Sequence, residues 1–266
     1  MDFGLKGKIA VVTGGSRGIG KATAWALAAE GANVALIARD MQHAAATAAA
    51  LAQETGRTIR AYAADTGEDS AVRSAFAQIA DDFGRLDILV NAAAQVAGQA
   101  PAPKLMEITN ENFWAEMNVK VLGYLRCIRE AVPHMTKNRW GRIVNVSGLA
   151  ARSTGSIIGS IRNISVAALT KNLADELGPN GINVTCIHPG VTRTEKTAAL
   201  VQRRAEAAGV SPDDIERRMA EANTIHHLVT AEEIADIIAF LASPKSIAIN
   251  GDVIAAGGGM PGAIYY

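Results

Sequence analysis

One short glycine-rich turn constrains the fold more than any other part of this sequence. It reads Thr13-Gly14-Gly15-Ser16-Arg17-Gly18-Ile19-Gly20. An apolar, strand-like run from Ile9 to Val12 precedes it, and a helix-like run from Ile19 to Glu30 follows it. A glycine turn at the first junction of a strand and a helix is typical of a parallel α/β protein that binds a nucleotide.

Each glycine of the turn has a separate physical role. Gly14 permits a turn that a β-carbon would prevent, Gly18 lets the backbone approach a pyrophosphate, and Gly20 lets the new helix pack against the strand. The helix N-terminus then offers free N–H groups and a positive dipole end to phosphate oxygens. We therefore predict that this turn cradles the phosphates of a nucleotide, with Ser16 and Ile19 among the residues lining it.

Strand-like and helix-like segments alternate along the whole chain. Continuous apolar strands joined by helices indicate a parallel sheet that is covered on both faces. We predict a single domain over residues 1–266, a Rossmann-type, doubly wound parallel sheet of about seven strands with helices on both faces. The longest predicted helices run from Thr109 to Met135 and from Ile157 to Leu177.

Composition excludes several classes of function. Lysine plus arginine and aspartate plus glutamate both number 26, so no basic excess points to nucleic acid or to a membrane surface. No apolar stretch approaches the length of a membrane span, and no His/Cys/carboxylate cluster has the spacing of metal ligands. Cys127 and Cys186 lie in apolar segments and are expected to be buried thiols, which fits a cytoplasmic protein.

The end of the second strand favours NADP(H) over NAD(H). An NAD site usually has a carboxylate there that binds the ribose 2′-hydroxyl, but this chain has Ala38 followed by Arg39. Arg17 lies within the glycine turn as well. Two guanidinium groups near the 2′ position favour a 2′-phosphate.

At this point the chain resembles the short-chain dehydrogenase/reductase family over essentially its whole length. The glycine turn is similar to the family's Thr-Gly-x-x-x-Gly-x-Gly motif. The segment Asn91-Ala92-Ala93-Ala94 is similar to the family's Asn-Asn-Ala-Gly motif. The resemblance implies hydride transfer between a nicotinamide and a carbonyl or alcohol. It also implies that the following further residues contact the cofactor: Asp65, Thr66, Asn91, Ala92, Pro189, Gly190 and Thr194.

The positions that carry the family's chemistry depart from its pattern. The family's catalytic serine aligns with Gly148, its tyrosine with Gly159, and its lysine with Asn163. Residues 141–170 contain no tyrosine and no lysine. The family's helix asparagine aligns with Lys120, while Asn118 lies about 200° further round an α-helix and is expected to face elsewhere.

Lysine and asparagine thus exchange places relative to the family. If the fold holds, an ammonium and an amide still meet beside the nicotinamide ribose. We take Lys120 as the candidate proton donor and Asn163 as its partner, because a partly desolvated lysine can act as a general acid. Ser147, Ser156 or Ser160 is the candidate for a hydrogen bond to the substrate oxygen.

Two other functions stay open. A nucleotide-binding subunit without hydride transfer would keep the phosphate cradle and lose the donors, pairing with an active relative. A lyase or hydratase on the same scaffold would need a general base, and the candidates are His188, His226 and His227.

The last two predictions concern the segment that covers the substrate, 194–228, and the oligomeric state, which involves the two long helices. The family covers its substrate with the segment corresponding to 194–228, and the alternating charge of that segment here predicts solvated helices. The family also forms dimers and tetramers through two long helices. The resemblance therefore implies a homo-oligomer through the helices near 109–135 and 157–177, acting on a small-molecule substrate.

Overall fold

Seven parallel strands form one sheet in the computed structural model, which describes residues 2–94 and 102–262. The strands lie in the order β3-β2-β1-β4-β5-β6-β7. Their bounds are β1 Ile9–Thr13, β2 Asn33–Ala38, β3 Ile59–Ala63, β4 Ile88–Asn91, β5 Gly141–Val146, β6 Ile182–Pro189 and β7 Val253–Ala256. This architecture confirms the predicted doubly wound α/β fold.

Helices connect the strands and cover both faces of the sheet. They are α1 Gly18–Ala29, α2 Met41–Thr55, α3 Asp69–Phe83, α4 Asn110–Met117, α5 Gly123–Asn138, α6 Ile157–Leu177, α7 Thr197–Ala208, α8 Pro212–Ala220 and α9 Ala231–Leu241.

Alternation along the strands divides the core into two layers. Val12 of β1 packs in the cluster that includes Leu27 of α1 and Ile238 of α9. Its neighbour Val11 packs in the opposite cluster, with Ile79 of α3 and Ile128 of α5. Neighbouring side chains on a strand point to opposite faces, so each central strand contributes to both layers and needs an almost continuous apolar sequence.

The predicted continuous helix over 109–135 is interrupted. Thr109 caps α4 by accepting a hydrogen bond from the Asn112 N–H at 3.2 Å. A π-turn over Asn118–Leu122 then separates α4 from α5, which begins at Gly123. The turn is closed by a bond from the Gly123 N–H to the Asn118 carbonyl, and Lys120 lies inside it. Such turns are rare and occur frequently at functional sites.

The remaining expectations from composition concern cysteines, metals and membranes. Cys127 and Cys186 are both free and buried, as predicted. Within residues 2–94 and 102–262, no group of histidine, cysteine or carboxylate side chains is arranged to hold a metal ion. Within the same ranges, no helix has the length and apolar character needed to span a membrane.

Candidate active site at the carboxyl edge of the sheet

The surroundings of the turn at the end of β1 require glycine at positions 14 and 20. Gly14 has φ +66°, and a β-carbon there would lie 3.0 Å from the backbone of Ala93. A β-carbon on Gly20 would lie only 2.3 Å from the Gly14 carbonyl oxygen. The Thr13 hydroxyl accepts hydrogen bonds from the N–H groups of Ala92 and Ala93, at 3.1 and 3.2 Å, which joins the turn to the end of β4.

A carboxylate already lies at the start of α1. The Gly18 N–H donates to Glu195 Oε2 at 3.0 Å, and a β-carbon on Gly18 would approach Thr194 to 3.3 Å. The Arg17 side chain does not cap the helix. An anion therefore accepts a hydrogen bond from the helix N-terminus, as a phosphate would. The residues of the turn fit the pyrophosphate of a dinucleotide.

The two arginines predicted to recognise a 2′-phosphate are accessible but lie near carboxylates. Arg17 Nη2 lies 3.8 Å from Asp40 Oδ2, and Arg39 Nη1 lies 4.0 Å from Asp65 Oδ2. Asp40 also caps α2 by accepting from the His43 N–H. The strand end alone does not reveal Asp40, although an aspartate directly before a helical run is a common N-cap signal.

Asp65, Thr66 and Asn91 lie at the same edge of the sheet. Asp65 Oδ1 accepts a hydrogen bond from the Gly67 N–H at 2.8 Å. Thr66 is buried, and its hydroxyl points to the Val119 carbonyl within the π-turn at 3.5 Å. Asn91 Nδ2 donates to Asn145 Oδ1 at 3.0 Å. The predicted cofactor residues therefore surround the ends of β1, β3 and β4.

Lys120 enters the same edge from the π-turn. Its side chain is buried, with the residue retaining 4% of its accessible surface, and Nζ donates to the Ser147 carbonyl at 2.9 Å. Asn118 contacts a different residue, because its Nδ2 donates to the Gly67 carbonyl at 3.1 Å. The π-turn thus directs the ammonium of Lys120 toward the residues that follow β5.

Asn163 of α6 lies beside Lys120's hydrogen-bond partner. The Ser147 hydroxyl donates to the Asn163 backbone carbonyl at 3.0 Å. A β-carbon on Gly148 would lie 3.2 Å from Asn163 Nδ2. Asn163 is buried, and its Oδ1 has no hydrogen-bond partner within the described residues. Lys120, Ser147 and Asn163 therefore converge on one place at the end of β5.

The other candidate serines do not join this cluster. The Ser160 hydroxyl donates to the Ser153 carbonyl at 3.0 Å, and Ser156 caps α6 by accepting from the Gly159 N–H. The two tyrosines within the described residues are also engaged elsewhere. Tyr62 bonds to Asp82, and Tyr124 is fully buried and donates to the Val146 carbonyl.

Burial changes the proton affinity of Lys120. Desolvation and, second, the positive charge of Arg162 lower the pKa of the ammonium from 10.5 to about 7. The carboxylate of Glu116 opposes this decrease, as an ionised Cys186 thiolate would. A lysine with a pKa near neutrality can give up and regain a proton at working pH.

Of the three candidate histidines, only His188 lies in the buried part of this edge. His188 retains 2% of its surface, and neither ring nitrogen has a hydrogen-bond partner within the described residues. Burial, Arg152 and Lys120 lower the pKa of its imidazole to about 4, so the ring is neutral at pH 7. His226 is exposed, and His227 is an exposed partner of Glu233 at 2.9 Å.

The segment 194–228 contains α7 and α8, which pack against each other. Their small core consists of Val201, Ala205, Ile215, Met219 and Leu228. Arg193 at the start of the segment pairs with Glu216 of α8. The remaining surfaces of both helices are largely exposed, which matches the solvated helices expected from the alternating charge.

Comparisons with known proteins agree with this architecture. Residues 14–261 match the family model described as enoyl-(acyl carrier protein) reductase. The chain is 35% identical to the short-chain reductase protein NovJ of Streptomyces niveus, over 95% of this chain and 94% of that protein. It is 31% identical to the (2S)-[(R)-hydroxy(phenyl)methyl]succinyl-CoA dehydrogenase subunit BbsD of Thauera aromatica, over 97% and 98% of the two chains.

A solved structure gives the same result at the level of the fold. The L-sorbose reductase of Gluconobacter frateurii, solved with NADPH and L-sorbose, superimposes with a TM-score of 0.92 at 28% sequence identity. The alignment covers 99% of this chain and 100% of the reductase.

Proposed function

Because the chain belongs to the short-chain dehydrogenase/reductase family, whose members are NAD(P)(H)-dependent oxidoreductases of carbonyl and alcohol groups, we propose that it transfers hydride between NADP(H) and such a substrate with Lys120 as the proton donor. One observation carries the proposal. The buried Nζ of Lys120 donates to the Ser147 carbonyl at the carboxyl edge of the sheet, and the Ser147 hydroxyl donates to Asn163, whose amide oxygen has no partner within the described residues. Lysine and asparagine here exchange the places that they have in the family pattern.

The cofactor would bind at the glycine turn, where the Gly18 N–H already donates to the carboxylate of Glu195. The turn from Gly14 to Gly20 and the N–H of Gly18 would hold the pyrophosphate, and Arg17 and Arg39 would hold the 2′-phosphate. The preference for NADP(H) is tested by calorimetric titration of Arg39→Ala. We expect weaker binding of NADPH and unchanged binding of NADH, and equal losses for both nucleotides would contradict the preference.

The chemistry assigned to the protein is proton transfer and orientation. When bound, a reduced nicotinamide supplies hydride to the carbonyl carbon. The carbonyl oxygen then gains negative charge, and Lys120 Nζ donates a proton to it. The Ser147 carbonyl orients Nζ, and Asn163 Oδ1 is available to accept a hydrogen bond from a ligand hydroxyl.

Turnover by Lys120→Met tests the assignment. The assay is NADPH oxidation with a panel of ketoses and 3-oxoacyl thioesters, the classes suggested by the sorbose reductase structure and by the 3-oxoacyl-[acyl-carrier-protein] reductase of Aquifex aeolicus, which is 30% identical to this chain. We expect kcat to fall by about 10²–10⁴-fold, the contribution typical of a general acid. The control is Lys137→Met, which removes an exposed lysine of α5. Unchanged turnover in Lys120→Met would exclude Lys120 as the donor.

A second candidate function is a nucleotide-binding subunit that performs no hydride transfer. It is favoured by the name of BbsD, which is described as a subunit of its dehydrogenase. The lack of tyrosine and lysine in residues 141–170 also favours it. Tight NADPH binding without reduction of any carbonyl, together with activity gained on mixing with a related reductase chain, would support this function over the first.

We also propose that the protein is a cytoplasmic homodimer or homotetramer. Four large apolar side chains, each 39–52% exposed, lie on the π-turn and on α6: Leu122, Ile157, Ile161 and Ile164. Such a patch on two neighbouring helices suits a contact with a second copy. Ile161→Glu should lower the mass measured by sedimentation equilibrium, and an unchanged mass would place the contact elsewhere. The two free thiols fit a reducing compartment.

A further inference from the structure

A partly buried ion pair interacts electrostatically with Lys120. Arg162 of α6 donates through Nη1 to Glu116 of α4, and the two side chains retain 7% and 27% of their accessible surface. Glu116 lies four residues before Lys120, and Arg162 lies one residue before Asn163. The pair therefore joins the two helical segments that carry the lysine and the asparagine.

The pair is incompletely satisfied, unlike one that serves stability alone. Arg162 Nε is buried and has no hydrogen-bond partner within the described residues. A buried guanidinium with an unpaired donor costs free energy, and apolar residues of similar size would often stabilise the contact between the helices at least as well. A role beyond joining α4 to α6 accounts for its presence.

We propose that Glu116 and Arg162 are positioning residues for Lys120, opposing charges that together set how readily its ammonium releases a proton; this role rests on the function proposed above. Neither residue has to touch the substrate. Arg162 places a second positive charge near the ammonium and disfavours its charged form, while Glu116 favours that form. Burial strengthens both effects because the surrounding dielectric constant is low.

Two other titratable groups near Lys120 carry no charge at neutral pH and so do not act on its ammonium as this pair does. Cys186 and His188 of β6 face the same region, and burial raises the pKa of the Cys186 thiol to about 12, so it is neutral at pH 7. The pKa of the His188 imidazole is lowered to about 4, so it is neutral as well. Arg152 acts on both Cys186 and His188. Among the groups named as shifting the pKa of Lys120, those that are charged at neutral pH are Arg162 and Glu116.

A titration of Lys120 in four proteins tests the proposal. The protein is labelled with ¹³C-lysine, and the Lys120 Cε signal is identified by its loss in Lys120→Met. In Arg162→Met we expect the titration midpoint to rise by about one pH unit, and in Glu116→Gln to fall by about as much. The double variant should return close to the wild-type midpoint, because both opposing charges are gone.

The controls separate this role from a structural one. Lys171→Met removes one partner of an exposed ion pair on the same helix, Lys171–Asp175, and should leave the midpoint unchanged. If the midpoint does not move in Arg162→Met and Glu116→Gln, or moves in the same direction in both, the proposal is wrong. If Arg162→Met fails to fold, Glu116→Gln decides alone, since only a lowered midpoint agrees with the proposal.

The pH profile of turnover distinguishes the two proposals. If kcat/KM follows the shifted midpoints, both the pair's role and the assignment of Lys120 as donor are supported. If the midpoints shift as expected while the pH profile stays fixed, the pair still sets the protonation of Lys120, but Lys120 is not the proton donor.

Discussion

Buried polar groups occur at both edges of the sheet, and the two sets differ in how completely they are paired. At the amino edge, Asp87 is fully buried and accepts from the Ile9 N–H and from both Nε and Nη2 of Arg85. Arg142 donates to the carbonyls of Ser243 and Gly141. Within the described residues, no buried side-chain nitrogen or oxygen of Asp87, Arg85 or Arg142 lacks a partner.

At the carboxyl edge, several buried side-chain atoms lack a hydrogen-bond partner within the described residues. These atoms belong to Asn91, Asn163 and His188, and buried atoms without a partner in the described residues occur elsewhere on Thr23, His43 and Arg162. Buried polar groups are normally satisfied, because leaving one unpaired costs about 1–3 kcal/mol. The amino-edge cluster is fully paired within the described residues, and we expect a ligand at the carboxyl edge to supply partners for the unpaired atoms there.

Removing Asp87 is expected to have the largest effect on stability. Asp87→Ala leaves Arg85 and Lys8 without their shared carboxylate and removes the acceptor of the Ile9 N–H, which should cost about 3 kcal/mol. Urea unfolding measures the loss. The control is Asp175→Ala in an exposed pair, with an expected change within about 0.5 kcal/mol. Equal losses of unfolding free energy in the two variants would mean that the buried cluster around Asp87 stabilises the protein no more than an exposed ion pair does.

Replacing His188 should affect stability much less, because neither ring nitrogen has a hydrogen-bond partner within the described residues. His188→Leu is expected to change the free energy of unfolding at pH 7 by no more than about 1 kcal/mol. A loss as large as that of Asp87→Ala would mean that His188 is a structural residue.

The same variant should alter the pH dependence of stability. The folded-state pKa of His188 is about 4, below its ordinary value of 6.5, so the unfolded chain binds the proton first. Wild-type stability should therefore fall as the pH decreases from 6.5 to about 4, and His188→Leu should lack that part of the decrease. Urea unfolding at several pH values measures the difference between the two proteins, and parallel curves would contradict the expectation.

Glu195→Gln should have the smallest effect. Glu195 accepts from the Gly18 N–H at the start of α1, where a phosphate would bind, so the neutral variant should compete less well with the cofactor. We expect NADPH affinity to rise about two- to fivefold, the size of a charge effect at a helix end. Glu206→Gln, an exposed change on α7, is the control. Unchanged or weaker binding would mean that Glu195 does not occupy the phosphate position.

The fold was predictable because its signals are local and repeated. The glycine turn, each apolar strand and the Thr109 helix cap are signals that each span only a few residues. The structure has seven parallel strands, as predicted. The break in the helix over 109–135 was not predictable in this way. A π-turn changes the hydrogen bonding of the backbone without a distinct pattern of apolar residues, so the sequence indicated one continuous helix.

The site was predictable only in part. Sequence reasoning selected Lys120, Ser147 and Asn163, which the structure brings together, and Ser160, which it does not. The contacts of Glu195 with Gly18 and of Arg162 with Glu116 join residues 177 and 46 positions apart. Such pairs depend on the packing of distant segments, and no local pattern in one sequence records them.

The most direct test of the account is calorimetric titration of the cofactor-free protein with NADPH and with NADH. The incomplete carboxyl edge and the two arginines predict binding of both nucleotides, with NADPH about tenfold tighter, which corresponds to about 1.4 kcal/mol. Absence of binding by either nucleotide would mean that the glycine turn is structural in this chain, and it would contradict the proposed hydride transfer.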